Sequence, residues 1–334
     1  MEFWGGDRIE LRHLTYIFLI LAACSNEPAV FFPEVPDGFP NMDFPEDNAF
    51  SPSRFELGRK LFFDSRLSAD GSLSCATCHV PSLAFTDQRP LARGIGQIEG
   101  TRNTPTLTNV GYKRVFFAEG GVRELERTIN PPLESPHEMG MQMKNLMSAL
   151  NADDQYVHLF SMAYDTTPSP SAMTHALATY MRRIVSWNSN FDRFRRGELP
   201  DMKDDSERGW EIFQKSRCDH CHTPPLFSDL EFHHIPLDSI PTDPGRGRLT
   251  RRSEDMGSFQ TPTLRNIQVT GPYFHDGREV ELENAILHPW IDDNGITRTP
   301  ELPQEEQRYL VLFLRSLTDS AFLNSPIWYP LQEK

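Results

Sequence analysis

The chain has no basic block. Its 334 residues carry 33 Lys and Arg against 47 Asp and Glu, a net charge of -14. Nothing in it can neutralise a run of phosphates, so no nucleic-acid partner is expected. The surplus acid favours a basic partner, although acidity by itself serves solubility. The chain also lacks a membrane span at its apolar start, because residues 14–21 fall well short of the ~20 apolar residues that cross a bilayer. Strand-like alternation is scarce, and 27 Pro and 20 Gly break the chain into loops. A mostly α-helical fold with long loops and little strand is expected. Cysteine is scarce as well: Cys24 closes the N-terminal apolar stretch and the other four fall in two short motifs. No thiol is left over for a disulfide.

The motifs are Cys75-Ala76-Thr77-Cys78-His79 and Cys218-Asp219-His220-Cys221-His222. In this pattern two thiols add to the vinyl groups of a haem and the adjoining His ligates its iron. A zinc reading needs four Cys or His ligands at one metal, so two half-sites far apart in sequence would have to meet across the fold. Two covalently bound haems c, each with its Cys pair and proximal His79 or His222, point to redox chemistry.

Arg8, Arg12 and His13 precede the apolar stretch, which runs into Leu21-Ala22-Ala23-Cys24-Ser25. This has the layout of an export signal. It resembles a bacterial lipobox, with Cys24 as the lipidated residue and Ser25 favouring the outer membrane; an ordinary signal peptide with a bystander Cys is the alternative. Either places the chain on the periplasmic side of the envelope, and in the first it would touch the membrane only through the lipid anchor. Glu2, Asp7 and Glu10 are untypical of such a leader and point to a later translation start. The expected organisation is a signal peptide over 1–24, a Pro-rich tether over 25–52, and two haem domains over 53–168 and 169–334, divided at the linker 165–171. Helices are expected over 172–187 and 206–213, and through Leu310, Phe313, Leu314 and Leu317 after Pro303.

From Leu57-Gly58-Arg59-Lys60-Leu61-Phe62-Phe63-Asp64 into the first motif, the chain resembles the bacterial di-haem cytochrome c peroxidase and MauG family. Phe85-Thr86-Asp87, Arg102-Asn103-Thr104-Pro105-Thr106, Glu138-Met139, Thr261-Pro262-Thr263-Leu264-Arg265-Asn266 and Gly271-Pro272-Tyr273-Phe274-His275-Asp276-Gly277 extend the likeness. The resemblance implies two cytochrome c-like domains, an N-terminal haem where hydrogen peroxide reacts and a C-terminal haem that relays electrons. Electrons would come from a small donor such as a cytochrome c or cupredoxin. Glu138 stands where the family keeps its acid-base Glu. Asn103, Thr270 and Pro272 match an inter-domain calcium site with oxygen ligands. His275 would contact a propionate, and relatives are often homodimers.

Several departures matter. Ile95, between Gly94 and Gly96, replaces the distal His of peroxidases that need reductive activation, so the first iron is expected to be open. Thr128 replaces a distal-pocket Gln, and Phe117 replaces the Trp between the haems. Pro289 falls where the second haem takes Met or Tyr, leaving His288 as the candidate distal ligand. The alternatives are a MauG-like enzyme that oxidises a partner protein, and an electron-transfer cytochrome with both irons capped.

Overall fold

The computed structural model describes residues 38–202, 205–239, 241–291 and 295–330. The signal-like segment, Cys24 and the first part of the tether lie outside the described residues. Among the described residues the α-helices are α1 (Pro52–Phe63), α2 (Cys75–Cys78), α3 (Asn130–Glu134), α4 (Met143–Asn151), α5 (Asp154–Tyr164), α6 (Pro170–Arg182), α7 (Asn190–Arg195), α8 (Ser206–Lys215), α9 (Gly247–Thr250), α10 (Leu282–Ala285), α11 (Gln304–Ser316) and α12 (Ser320–Leu323). Among the described residues strand is confined to two antiparallel pairs, β1 (Phe232–His234) with β2 (Ser258–Gln260) and β3 (Trp290–Ile291) with β4 (Thr297–Arg298). The mostly helical expectation holds.

Local chemistry sets the helix starts. Ser51 and Ser169 accept the backbone N–H three residues on, and Pro52 and Pro170 follow at the first helical position. Asp153 caps α5 in the same way. The helix expected over 172–187 stops at Arg182 because the following backbone is taken by a distant partner. Asn109 N–H donates to the Ile184 carbonyl at 2.8 Å, and Ser186 N–H donates to Asn109 Oδ1 at 2.9 Å.

The architecture is the same helix crossing made twice. In the first half α1 packs along α6; in the second, α8 packs along α11. Each crossing is closed by a glycine that lets two helix backbones touch. A Cβ on Gly58 would run into the Ala176 carbonyl, and one on Gly209 into the Tyr309 carbonyl. The repetition continues beyond the helices. Thr104-Pro105-Thr106-Leu107-Thr108-Asn109 and Thr261-Pro262-Thr263-Leu264-Arg265-Asn266 both end on an Asn in the left-handed region that opens a short 3-10 turn. At equal distances further on, Phe117 and Phe274 take positive φ inside turns bridged by Phe116 to Val122 and by Tyr273 to Glu279.

This repeat moves the expected domain boundary. Residues 165–171 connect α5 to α6, and α6 packs on α1, so a division at 168 would cut the first helix crossing in two. The tether also ends earlier than 52. Asn48 is fully buried, donating to Glu126 Oε1 at 3.0 Å and to the His175 carbonyl at 2.9 Å. The segment just before α1 is therefore part of the packed body.

Candidate active site at the two haem motifs

Both motifs present their ligands in the same way. In the first, Ser74 N–H donates to Thr77 Oγ1 at 3.0 Å and starts α2, which sets Cys75 and Cys78 three residues apart on one helical face. His79 leaves the helix, and its Nδ1 lies 2.9 Å from the Phe85 carbonyl. A carbonyl only accepts, so Nδ1 carries the proton and Nε2 is the atom free to bind iron. In the second motif His222 Nδ1 lies 3.2 Å from the Phe227 carbonyl, which fixes the same tautomer.

Both acceptors sit in the left-handed region, Phe85 at φ 60° and Phe227 at φ 52°. That conformation is uncommon for a non-glycine residue and is held here by surrounding packing. Burial lowers the pKa of both His79 and His222, keeping them in the neutral form that binds metal. Burial also pushes Cys75 and Cys218 up to about 12 and Cys78 up to about 11, so these thiols stay protonated near neutral pH. Paired thiols on one face and a tautomer-fixed imidazole suit a covalent haem at each motif.

The two halves differ on the far side. In the first, Ile95 N–H donates to the Glu138 carbonyl at 2.7 Å. Gly94 permits this contact, since a Cβ there would strike the His137 carbonyl, and the Ile95 side chain lies against Gly140. Cys78 Sγ faces the Arg93 carbonyl at 3.9 Å and feels the Glu138 charge. The first motif, the Gly94-Ile95-Gly96 turn and Glu138 are thus brought together. Burial raises the Glu138 pKa, opposed by His137, although the side chain still reaches solvent. Ile95 offers no atom that could ligate iron.

Thr128 is buried, and its hydroxyl donates to the Leu125 carbonyl at 2.6 Å. Its proton is committed to its own turn, so towards a ligand it can only accept. The turn is fastened to α6 by Glu126, which takes both nitrogens of Arg182 at 2.5 and 3.0 Å.

In the second half His288 lies edge-on to Phe274 with ring centroids 4.6 Å apart, and its Nε2 is 3.6 Å from Glu279 Oε2. Pro289 follows it and Trp290 begins β3. His275 stacks on Phe259 at 4.1 Å. Composition gave no hint of one further cluster: Cys221 Sγ, Asp229 and His233 hold their ligand atoms within 4.8 Å of one another. His233 Nε2 is 2.7 Å from Asp229 Oδ2, and the Cys221 sulfur and Asp229 push the His233 pKa up to about 9. Because Cys221 belongs to the haem motif, this group reads as the flank of the haem rather than a separate metal site. The echo of Phe85-Thr86-Asp87 in Phe227-Ser228-Asp229 is the signal that could have found it.

The halves also exchange contacts. Asn103 N–H donates to the His275 carbonyl at 2.8 Å, and its side-chain amide to the Arg89 carbonyl at 2.6 Å. Gln88 Nε2 reaches the Val269 carbonyl at 3.2 Å, beside Thr270 and Pro272. Gln260 N–H donates to the Ala118 carbonyl at 2.8 Å, tying β2 to the Phe117 turn. Arg102 binds Glu119 in its own half at 2.5 Å and both oxygens of Asp243 in the other at 2.7 and 3.0 Å.

Comparison with known proteins agrees with this geometry. Residues 52–199 match the family profile of di-haem cytochrome c peroxidase. The chain is 36% identical over 291 residues to the methylamine utilization protein MauG of Methylorubrum extorquens, covering 83% of this chain and 81% of that protein. It is 30% identical over 282 residues to cytochrome c551 peroxidase of Nitrosomonas europaea, covering 82% and 83%. Among solved structures, a MauG-like protein associated with microbial copper homeostasis superposes with a TM-score of 0.81 at 28% identity, covering 90% of this chain and 99% of that one. The chain belongs to the family of di-haem cytochrome c peroxidases and MauG proteins, which are oxidoreductases carrying two haems c.

Proposed function

We propose that the protein reduces hydrogen peroxide at the first haem, with Glu138 as its acid-base group, and draws the electrons through the second. When bound, each haem supplies an iron that accepts and donates electrons. His79 and His222 would hold the two irons through Nε2, since Nδ1 is committed to the Phe85 and Phe227 carbonyls. The observation that carries the proposal is the Ile95–Glu138 contact beside Cys78. It keeps Glu138 beside the Gly94-Ile95-Gly96 turn, which offers no side chain that could ligate iron, and the Glu138 charge is felt at Cys78. Glu138 takes a proton from one peroxide oxygen and returns it to the other, so that the leaving oxygen departs as water. Mixing the ferric, haem-loaded protein with peroxide tests this. Reaction without prior reduction supports it, and inertness until a reductant is added contradicts it.

A second reading, oxidation of a partner protein, is supported by the 36% identity to a MauG protein; Pro289 matches neither the Met nor the Tyr of the family at the second haem and favours neither reading. Turnover of reduced cytochrome c or cupredoxin supports the first reading; peroxide-driven modification of a neighbouring protein without such turnover supports the second. At the second haem His288 would be the further residue to hold the group. Glu279 beside Nε2 would leave Nδ1 to face the metal, in the carboxylate–histidine arrangement common at metal sites. Calcium at Asn103, Thr270 and Pro272 is supported by the resemblance and by Asn103 lying against the backbone of His275, three residues after Pro272. The leader and Cys24 support export and lipid anchoring.

A further inference from the structure

The charge of the chain is unevenly spread over its surface. Arg114 and Arg123 sit on the two arms of the Phe117 turn, on either side of the bridge in which Phe116 N–H donates to the Val122 carbonyl at 2.7 Å. Both are exposed, and neither side chain has an ion-pair or hydrogen-bond partner among the described residues. The turn does not need them. In the matching turn of the second half, counted from the bridge of Tyr273 to Glu279, the same positions hold Gly271 and Val280.

The second half completes this face with α9. Arg248 pairs with Glu119 of the turn, and a Cβ on Gly121 would lie 3.5 Å from a Leu249 methyl. Leu249 is 45% exposed, and Met256, which packs on α9 at Gly247, is 38% exposed. Arg251, two residues beyond Leu249, is exposed and again without a side-chain partner among the described residues, whereas Arg252 is engaged by Glu254 and Arg127 by Glu124. Met and Arg are enriched at protein interfaces, where Lys is depleted. The exposed cations around Leu249 and Met256 are all Arg.

We infer that this face docks the electron donor, and that the donor is an acidic one-electron carrier protein of the cupredoxin or cytochrome c class. The inference rests on the peroxide reaction proposed above, in which electrons enter through the second haem. α9 lies in the connection between β1 and β2, and β1 carries His233, which lies by Cys221 of the second motif. A carrier seated on α9 is thus on the segment that flanks that motif. The net charge of -14 works the other way at long range and favours a basic partner. At about 0.1 M salt, however, the screening length is only about 10 Å. A partner in contact with α9 and the Phe117 turn then responds to the three unpaired arginines and not to the whole chain. Two reduced carriers dock in turn for each peroxide and give up one electron each; with two protons from solvent the peroxide becomes two waters.

The test is surface plasmon resonance of the ferric, haem-loaded full chain at about 0.1 M salt, with plastocyanin as an acidic carrier, mitochondrial cytochrome c as a basic one, and phosphatidylglycerol vesicles. The expected result is that plastocyanin associates faster than the basic carrier, and that Arg123→Glu/Arg251→Glu slows plastocyanin roughly tenfold or more. Lys144→Glu/Arg195→Glu, the same change of net charge at exposed positions elsewhere, should leave plastocyanin association unchanged. A basic carrier that associates faster than plastocyanin, or a plastocyanin rate that Arg123→Glu/Arg251→Glu does not lower, overturns the docking face. Vesicles bound in place of plastocyanin, and released by the same double substitution, make the face a lipid contact and overturn it as well. Peroxide loss is followed in parallel samples. Reaction with peroxide but no plastocyanin binding overturns the docking face alone, whereas a wild type that does not react with peroxide overturns the peroxide reading and the donor's role with it.

Discussion

Glu138→Gln is the most searching substitution for the chemistry, because it keeps the shape of the side chain and removes only its ability to take a proton. A positioned acid-base group contributes about 10²–10⁴-fold to a rate, and at about 1.4 kcal/mol per decade the variant should lose roughly 3–5 kcal/mol of transition-state stabilisation. The structure adds a pH signature. Burial raises the Glu138 pKa above the ordinary carboxylate value, and the proton-accepting form is the carboxylate. The rate constant for peroxide reacting with the ferric protein should therefore climb as pH rises through that raised pKa and level off above it, and the climb should vanish in Glu138→Gln. Stability runs the other way. A carboxyl with a raised folded-state pKa binds its proton more tightly when folded, a contribution present below the unfolded pKa and lost as pH rises through the folded one. The variant should thus fold at least as well as the wild type at neutral pH. Stopped-flow absorbance across the acid range gives the rates, and denaturant titration gives the stability. A variant that reacts as fast as the wild type, with the same pH profile, would refute the assignment.

Ile95→His should place an imidazole over the first iron; the ferric protein should then become low-spin at both haems by optical spectroscopy and react with peroxide only after reduction. Gly58→Ala and Gly209→Ala each drive a methyl into a helix carbonyl, and each should cost about 1–3 kcal/mol in denaturant titration. Arg265→Met removes a fully buried guanidinium that binds both oxygens of Asp192 at 2.7 and 2.8 Å and the Pro225 carbonyl at 2.8 Å. It should cost about 3–5 kcal/mol, with loosening concentrated in the loop that carries Phe227, read by hydrogen exchange.

The haem attachment points are legible in the sequence because covalent chemistry demands two thiols and an imidazole in a fixed local order, which five residues can carry alone. The acceptors that orient those imidazoles are not legible, since every residue has a carbonyl and only the fold brings those of Phe85 and Phe227 to Nδ1. Gly58 and Gly209 read in isolation as weak points in helices; their purpose appears only when a second helix lies across them. The linker at 165–171 is conspicuous in composition, yet it joins two helices of the same half, because composition reports where a chain turns and not what it turns towards. Asn48 misleads in the same way, a polar residue in a Pro-rich stretch whose partner Glu126 is far along the chain. The repeat of Thr-Pro-Thr-Leu with its following Asn, at Thr104 and at Thr261, is the sequence signal that locates both halves.

The central claim is that the two haems are unequal, the first open beside Glu138 and the second closed by a protein ligand. Electron paramagnetic resonance of the resting ferric, haem-loaded protein tests it most directly. The account predicts one high-spin and one low-spin haem in equal amounts, with His288→Ala altering only the low-spin signal. Two low-spin haems in the wild type would contradict it.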